Sequence, residues 1–346
     1  MHTLDKNTIT QFFLDSKESR LSGRWITFNH IESLLQESSK VAKTHIGYSE
    51  EERPIYSVQL GNGDKKVLIW TQMHGNESTG TKAVFDLLNF LNLDSSTANA
   101  ILTHCTLRII PMLNPDGAQQ YTRVNAQNVD LNRDAVDRIA IESKVLRSQL
   151  DEFNPDFCFN MHDQRTIFGV EGTRNPATLS FLAPSEEETR AITPGRIKTM
   201  SVIVAMNQLL QQIISGHIGR YTDEFYPTAT GDNFQKLGFS TILIESGHYH
   251  NDYIREESRK FTFYALLQGL YYISSSTDFS KYQSYFDIPN NNKDFLDIVH
   301  RKENQPDEAY QYEEKIIDGQ FTLVPEKVED VDLKTKLFHN ENDFVD

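Results

Sequence analysis

The chain has 346 residues, a formal charge of −15, 38% hydrophobic residues and 24% charged ones. That length suits one large domain with extensions or two ordinary domains, and the composition is that of a folding soluble chain with a sizeable core. The acidic surplus keeps the chain soluble, and at long range it repels nucleic acid and anionic membranes, so neither is expected as a partner.

The N-terminus lacks a basic region followed by an apolar run, and no stretch approaches the roughly 18 apolar residues of a membrane span. The expectation is a cytoplasmic protein. Cys105 and Cys158 each sit in an apolar, strand-like segment without CxxC spacing, so they read as buried, reduced thiols.

Residues 7 to 43 are polar with helical periodicity, giving a helical lead-in over 1–44. KTHIGYS and PIYSVQLG flank the charged turn EEERP and predict a β-hairpin. From Lys66 onward short apolar runs alternate with amphipathic stretches, which predicts an α/β catalytic domain over 45–275. Its central sheet is expected to be mixed and largely parallel, with helices on both faces. After about residue 275 Ser, Asn, Asp and Lys dominate, so 276–346 reads as a partly flexible extension. YEEKIIDGQFTLVP is its one strand–turn–strand candidate.

Four segments carry chemistry. His74-Gly75-Asn76-Glu77 follows an apolar strand and precedes a helix near Ser78, the place where open α/β sheets bind ligands. An imidazole and a carboxylate at i and i+3 can converge on one Zn²⁺. A second strand ends at Leu113 and opens through NPDG into a loop bearing Arg123, Asn132 and Arg133, whose planar donors suit a carboxylate or an oxyanion. DFCFNMH delivers His162 at a strand end. STILIES places Glu245 at the end of another apolar strand, where an unpaired acid is costly unless it has a task. Each segment alone has an ordinary structural explanation.

In this order the segments resemble the zinc carboxypeptidase family: H74GNE77, N114PDG117, Arg123 ahead of D130LNR133, then His162 and Glu245. The resemblance implies a metallocarboxypeptidase with one Zn²⁺ per chain held by His74, Glu77 and His162. It also implies Glu245 as general base, Arg123 polarising the scissile carbonyl, and Asn132 with Arg133 holding the free carboxylate of a small peptide substrate. The family's mobile tyrosine has no clear register here. Tyr226 is favoured over Tyr221, and Asp163 or Gln164 is expected to support the metal ligands. His248 and His250 read as loop residues near the mouth.

Two other readings compete. Deacylases of N-acyl amino acids, of the aspartoacylase and succinylglutamate desuccinylase type, share H-x-x-E and D-L-N-R. A zinc-stabilised scaffold would have lost its base or a ligand, whereas this chain keeps both. Substrate side chain and oligomeric state are not specified by the sequence.

Overall fold

The computed structural model describes residues 3–37, 42–303 and 305–344. In chain order the elements are α1 (Lys6–Ser16), α2 (Phe28–Glu37), β1 (Ala42–Tyr48), β2 (Pro54–Leu60), β3 (Lys65–Trp70), α3 (Thr79–Leu91), α4 (Ser96–His104), β4 (Cys105–Ile110), α5 (Pro115–Gln120) and α6 (Ile141–Phe153). Then come β5 (Phe157–Asp163), β6 (Gly169–Val170), β7 (Leu179–Leu182), α7 (Pro194–Leu210), β8 (Ile218–Arg220), α8 (Thr230–Lys236), β9 (Ser240–Ser246) and α9 (Glu256–Ser275). The chain closes with β10 (Asn291–Asn292), β11 (Phe295–Lys302), β12 (Glu308–Ile317), β13 (Gln320–Val328) and β14 (Leu337–Phe344).

Eight strands form a mixed central sheet in the order β1-β2-β4-β3-β5-β9-β7-β8. Strands β4, β3, β5 and β9 run parallel, as do β7 and β8, while β1–β2, β2–β4 and β7–β9 are antiparallel. The apolar runs are continuous because both faces are covered. Val67 and Ile69 of β3 join the cluster built from α1, α2, α3, α4, α7 and α9, whereas Leu68 and Trp70 join the one formed with α6 and α8. The expected α/β architecture and the β1–β2 hairpin are present. Of the helical lead-in expected over 1–44, α1 and α2 are present, Ala42–Thr44 instead open strand β1, and residues 1, 2 and 38–41 lie outside the described residues.

One fully buried ion pair ties the layers. Arg259 on α9 forks onto Asp86 on α3 with two 2.7 Å hydrogen bonds, and also donates to the carbonyls of Leu21 and Glu18. The N-terminal segment is thereby fastened to the catalytic core.

The extension departs from its sequence reading. Where one strand pair is predicted, four strands form a second sheet in the order β13-β12-β11-β14. The predicted pair is β12–β13, while β14 is recruited in parallel to β11. That pairing spans some forty residues and leaves no local pattern to read. The sheet is anchored on the core by Arg24–Glu314 at 2.8 Å and by Tyr121 Oη donating to Glu314 at 2.6 Å. Gln311 adds a bond from Nε2 to Thr166 Oγ1 at 2.7 Å.

Candidate active site

The site lies at the carboxyl ends of β3, β5 and β9. Strand β3 leads through Gln72, whose positive φ of 51° turns the chain sharply, into the loop carrying His74 and Glu77. Gln72 holds this turn by donating to the carbonyls of Ile26 and Gly75 and accepting from Thr81. Strand β5 carries His162 as its penultimate residue, just before Asp163. In the parallel β5–β9 register, His162 faces Glu245 directly, so one strand pair delivers a ligand candidate and the base candidate side by side.

The NPDG turn is a brace for this loop. Asn114 caps α5 by accepting from Gly117 N at 2.8 Å, and its amide donates to Met73 O at 3.1 Å, with Pro115 opening the helix. Gly117 packs so closely on Gly75 that a Cβ on Gly75 would lie 1.9 Å from its carbonyl carbon. Buried Asp116 accepts from Ser49 Oγ, Glu51 N and Arg53 Nη1, pinning the β1–β2 hairpin to the same turn.

His74, Glu77 and His162 converge, with ligand atoms all within 4.8 Å of one another. His74 Nδ1 and His162 Nδ1 are 3.1 Å apart, and Glu77 offers Oε1 at 2.9 Å from the first and Oε2 at 2.8 Å from the second. Donors bound tetrahedrally to zinc at 2.0–2.1 Å stand about 3.3 Å apart, so these residues fit that ion. His74 Nε2 contacts Asp130 Oδ1 at 3.0 Å, the outer partner that orients metal-binding histidines. The corresponding Nε2 of His162 has no hydrogen-bond partner among the described residues.

Among the expected supports, Asp163 braces Glu77 through its backbone N–H at 3.0 Å and accepts from Thr79 Oγ1 at 2.7 Å. The Gln164 carboxamide instead donates to Ala177 O, away from the ligands. Asp130 was quoted in sequence only as part of D-L-N-R; its bond to His74 gives it a role of its own.

Charge is concentrated here. Burial alone would raise the Glu77 carboxyl, but His74 and His162 outweigh it and hold it well below the usual range. The opposite holds for Glu245. Burial first, then the neighbouring carboxylates Glu77 and Asp163, push it well above, against the pull of Arg123 and Arg255. Among the described residues the Glu245 carboxylate makes no hydrogen bond or ion pair.

A cavity of about 760 Å³ holds His74, Glu77, Arg123, Asn132, Arg133 and Glu245 along its walls. Arg123 donates from Nε to Asp130 at 3.0 Å and from Nη1 to Glu77 at 3.3 Å, leaving Nη2 without a protein partner. Among the described residues the Arg133 side chain bonds only the Asn132 carbonyl, at 2.6 Å, so most of its fork is open. Asn132 is fixed by accepting from Thr230 N at 3.0 Å. Both tyrosines reach the cavity. Tyr226 is half exposed, with its hydroxyl on Glu224 at 3.0 Å, whereas the Tyr221 phenol is pushed up by burial and by the charges of Glu245 and Glu77. Arg24 and the stretch Gln311, Tyr312, Glu313 and Glu314 also line the cavity, so both terminal regions contribute wall that the sequence reading placed outside the chemistry. His248 is buried, packed at a tilt between the rings of Tyr253 and His339.

Comparison with known proteins points to one family. A family model described as zinc carboxypeptidase matches residues 28–209, more than half the chain, and spans every candidate ligand and arginine but not Glu245. Carboxypeptidase 2 of Trichophyton tonsurans is 25% identical over 146 residues, 41% of this chain and 26% of that protein. Carboxypeptidase SOL1 of Arabidopsis thaliana is 28% identical over 133 residues, 34% of this chain and 27% of that protein. The chain thus spans about a quarter of the length of the curated relatives it matches. In fold it is similar to a Helicoverpa armigera carboxypeptidase A, with TM-score 0.58 and 15% identity, covering 78% of this chain and 80% of that one. A metallo-carboxypeptidase from Burkholderia cenocepacia gives TM-score 0.56 at 19% identity, covering 70% and 68%. The chain belongs to the zinc carboxypeptidase family.

Proposed function

We propose that the protein is a zinc-dependent metallocarboxypeptidase that removes the C-terminal residue of small peptides, with one zinc per chain. The observation that carries this reading is the pairing of His162 with Glu245 across β5 and β9, beside the His74–Glu77 ligand pair. Zinc at such a site lowers the pKa of its bound water to about 7 and polarises a carbonyl.

The chain's own residues supply the rest. Glu245 has an unengaged carboxylate of raised proton affinity, suited to take a proton and return it to the leaving amine. The free Nη2 of Arg123 offers a donor where negative charge develops on the carbonyl oxygen. Arg133 and the Asn132 amide hold the terminal carboxylate, Arg by its planar fork. The family match favours this reading over the N-acyl amino acid deacylase.

The test is metal analysis beside a peptide assay. Wild-type protein is expected to carry about one zinc per chain and to lose peptide hydrolysis on chelation, regaining it with zinc. His162→Ala is expected to lose most of the metal. Full zinc content in that variant, or chelator-resistant hydrolysis, contradicts the proposal.

A further inference from the structure

Behind the cleft lies a second cavity of about 980 Å³, and the two share Arg133, Phe168, Tyr221, Thr222 and Tyr226 as their common wall. Its lining carries five cationic side chains, Arg133, Arg190, Arg196, Arg220 and Lys293, against the single carboxylate Asp223. In a chain of net charge −15 such a lining is a local reversal of sign.

The positive charge is only partly compensated. Asp223 serves both Arg196, at 2.6 Å, and Arg190, at 3.2 Å. Arg196 is also fully buried and donates from its two terminal nitrogens to the carbonyls of Arg190, Ala191 and Ala183. Arg220 pairs with no carboxylate among the described residues. Its guanidinium lies over the rings of Tyr285 and Phe286 at 5.2 and 5.6 Å, donates once to Asn290 Oδ1 at 3.1 Å, and keeps a buried Nε without a partner. Lys293 is exposed and forms no ion pair among the described residues. Arg133, on the shared wall, has an open fork. Among the described residues Arg220 and Lys293 therefore face one chamber without an ion pair, and Arg133, which feels the charge of Asp232 on the cleft side, keeps most of its fork open beside them, a set of donors suited to a carboxylate.

We infer that this annexe receives the side chain of the residue being removed, and that the preferred substrates are peptides ending in an acidic residue. The inference rests on the carboxypeptidase reading. If Arg133 clasps the terminal carboxylate, the side chain of the same residue is directed past Tyr221 and Tyr226 toward Arg220 and Lys293. The rival charge is Asp232 on the cleft side, a buried carboxyl pushed up to about 6 mainly by burial, which would select a basic residue instead.

The experiment compares zinc-loaded, full-length protein on N-blocked tripeptides that differ only in ending with Glu, Gln or Lys. Calorimetric titration of free L-glutamate and L-glutamine is run beside it. The expected kcat/KM is roughly tenfold higher for Glu than for Gln, the factor of a good charge-assisted contact, and L-glutamate binds more tightly than L-glutamine by a similar factor. Both ratios should fall toward one in Arg220→Gln and in Lys293→Gln, mainly through KM, and should narrow at high salt. Lys293 is exposed, so its variant keeps the test valid if Arg220→Gln fails to fold. Equal use of Glu and Gln peptides, or ratios unchanged in Lys293→Gln and a folded Arg220→Gln, overturns the annexe, and preference for Lys assigns specificity to Asp232. If no peptide is cut, the carboxypeptidase reading fails, and the glutamate–glutamine difference alone decides whether the annexe is an anion site.

Discussion

Arg24, from the segment before the first strand, and Glu314, from the terminal sheet, meet at 2.8 Å on the wall of the active-site cavity. Burial alone would raise Glu314, yet Arg24 and Tyr121 hold it below the usual range. Arg24 is buried and Glu314 is a quarter exposed, so removing the carboxylate leaves a buried charge uncompensated at a cost below the roughly 3–5 kcal/mol of a fully buried pair, about 1–3 kcal/mol. Glu314→Ala is therefore expected to lower unfolding stability in urea by about that amount, and Glu314→Gln by less, since it still accepts from Tyr121. An unchanged urea midpoint for Glu314→Ala would show that the terminal sheet is not held through this pair.

Among the described residues the Glu245 carboxylate has no hydrogen-bond or ion-pair partner, so its replacement should cost chemistry rather than structure. Glu245→Gln is expected to keep zinc and fold but to lose at least about a hundredfold in kcat, within the range for a general acid–base group. Near-normal turnover of the variant would assign proton transfer to another group.

A pH effect follows from Glu256, which contacts Lys82 and Lys17 at 2.7 and 3.0 Å. Burial opposes ionisation, but Lys82, Lys17 and Arg259 outweigh it and bring the carboxyl from 4.5 to about 2. The folded state thus binds this proton less readily than the unfolded chain. The stabilisation is complete above pH 4.5 and is lost as pH falls toward 2. Glu256→Gln should be less stable than wild type at neutral pH, with the gap closing below about pH 4.5. A gap that stays constant on acidification would count against the ion pairs as its source.

The legible part of this site is the part set by strand ends. His74, Glu77, His162 and Glu245 each follow an apolar run too long to be surface loop, so their placement at one sheet edge could be read from chain order. Asp130 was visible only as a letter of D-L-N-R, because its bond to His74 joins residues 56 apart. Tyr221 and Tyr226 share a loop of irregular backbone, where no periodicity tells which side chain turns toward Glu245. The wall formed by Gln311 to Glu314 and the scattered cations Arg190, Arg220 and Lys293 come together only through long-range packing, which composition averages away.

The most direct test of the account is cleavage by zinc-loaded wild-type protein of one tripeptide with a free C-terminus and of the same tripeptide amidated. If Arg133 and Asn132 hold the terminal carboxylate, the free peptide releases a single C-terminal amino acid, while the amide shows a raised KM and much slower release. In Arg133→Ala the two peptides should converge, because the same contact has been removed from either side. Equal cleavage of both peptides by the wild-type protein would contradict carboxylate recognition and make an endo-acting hydrolase with the same metal ligands the better account.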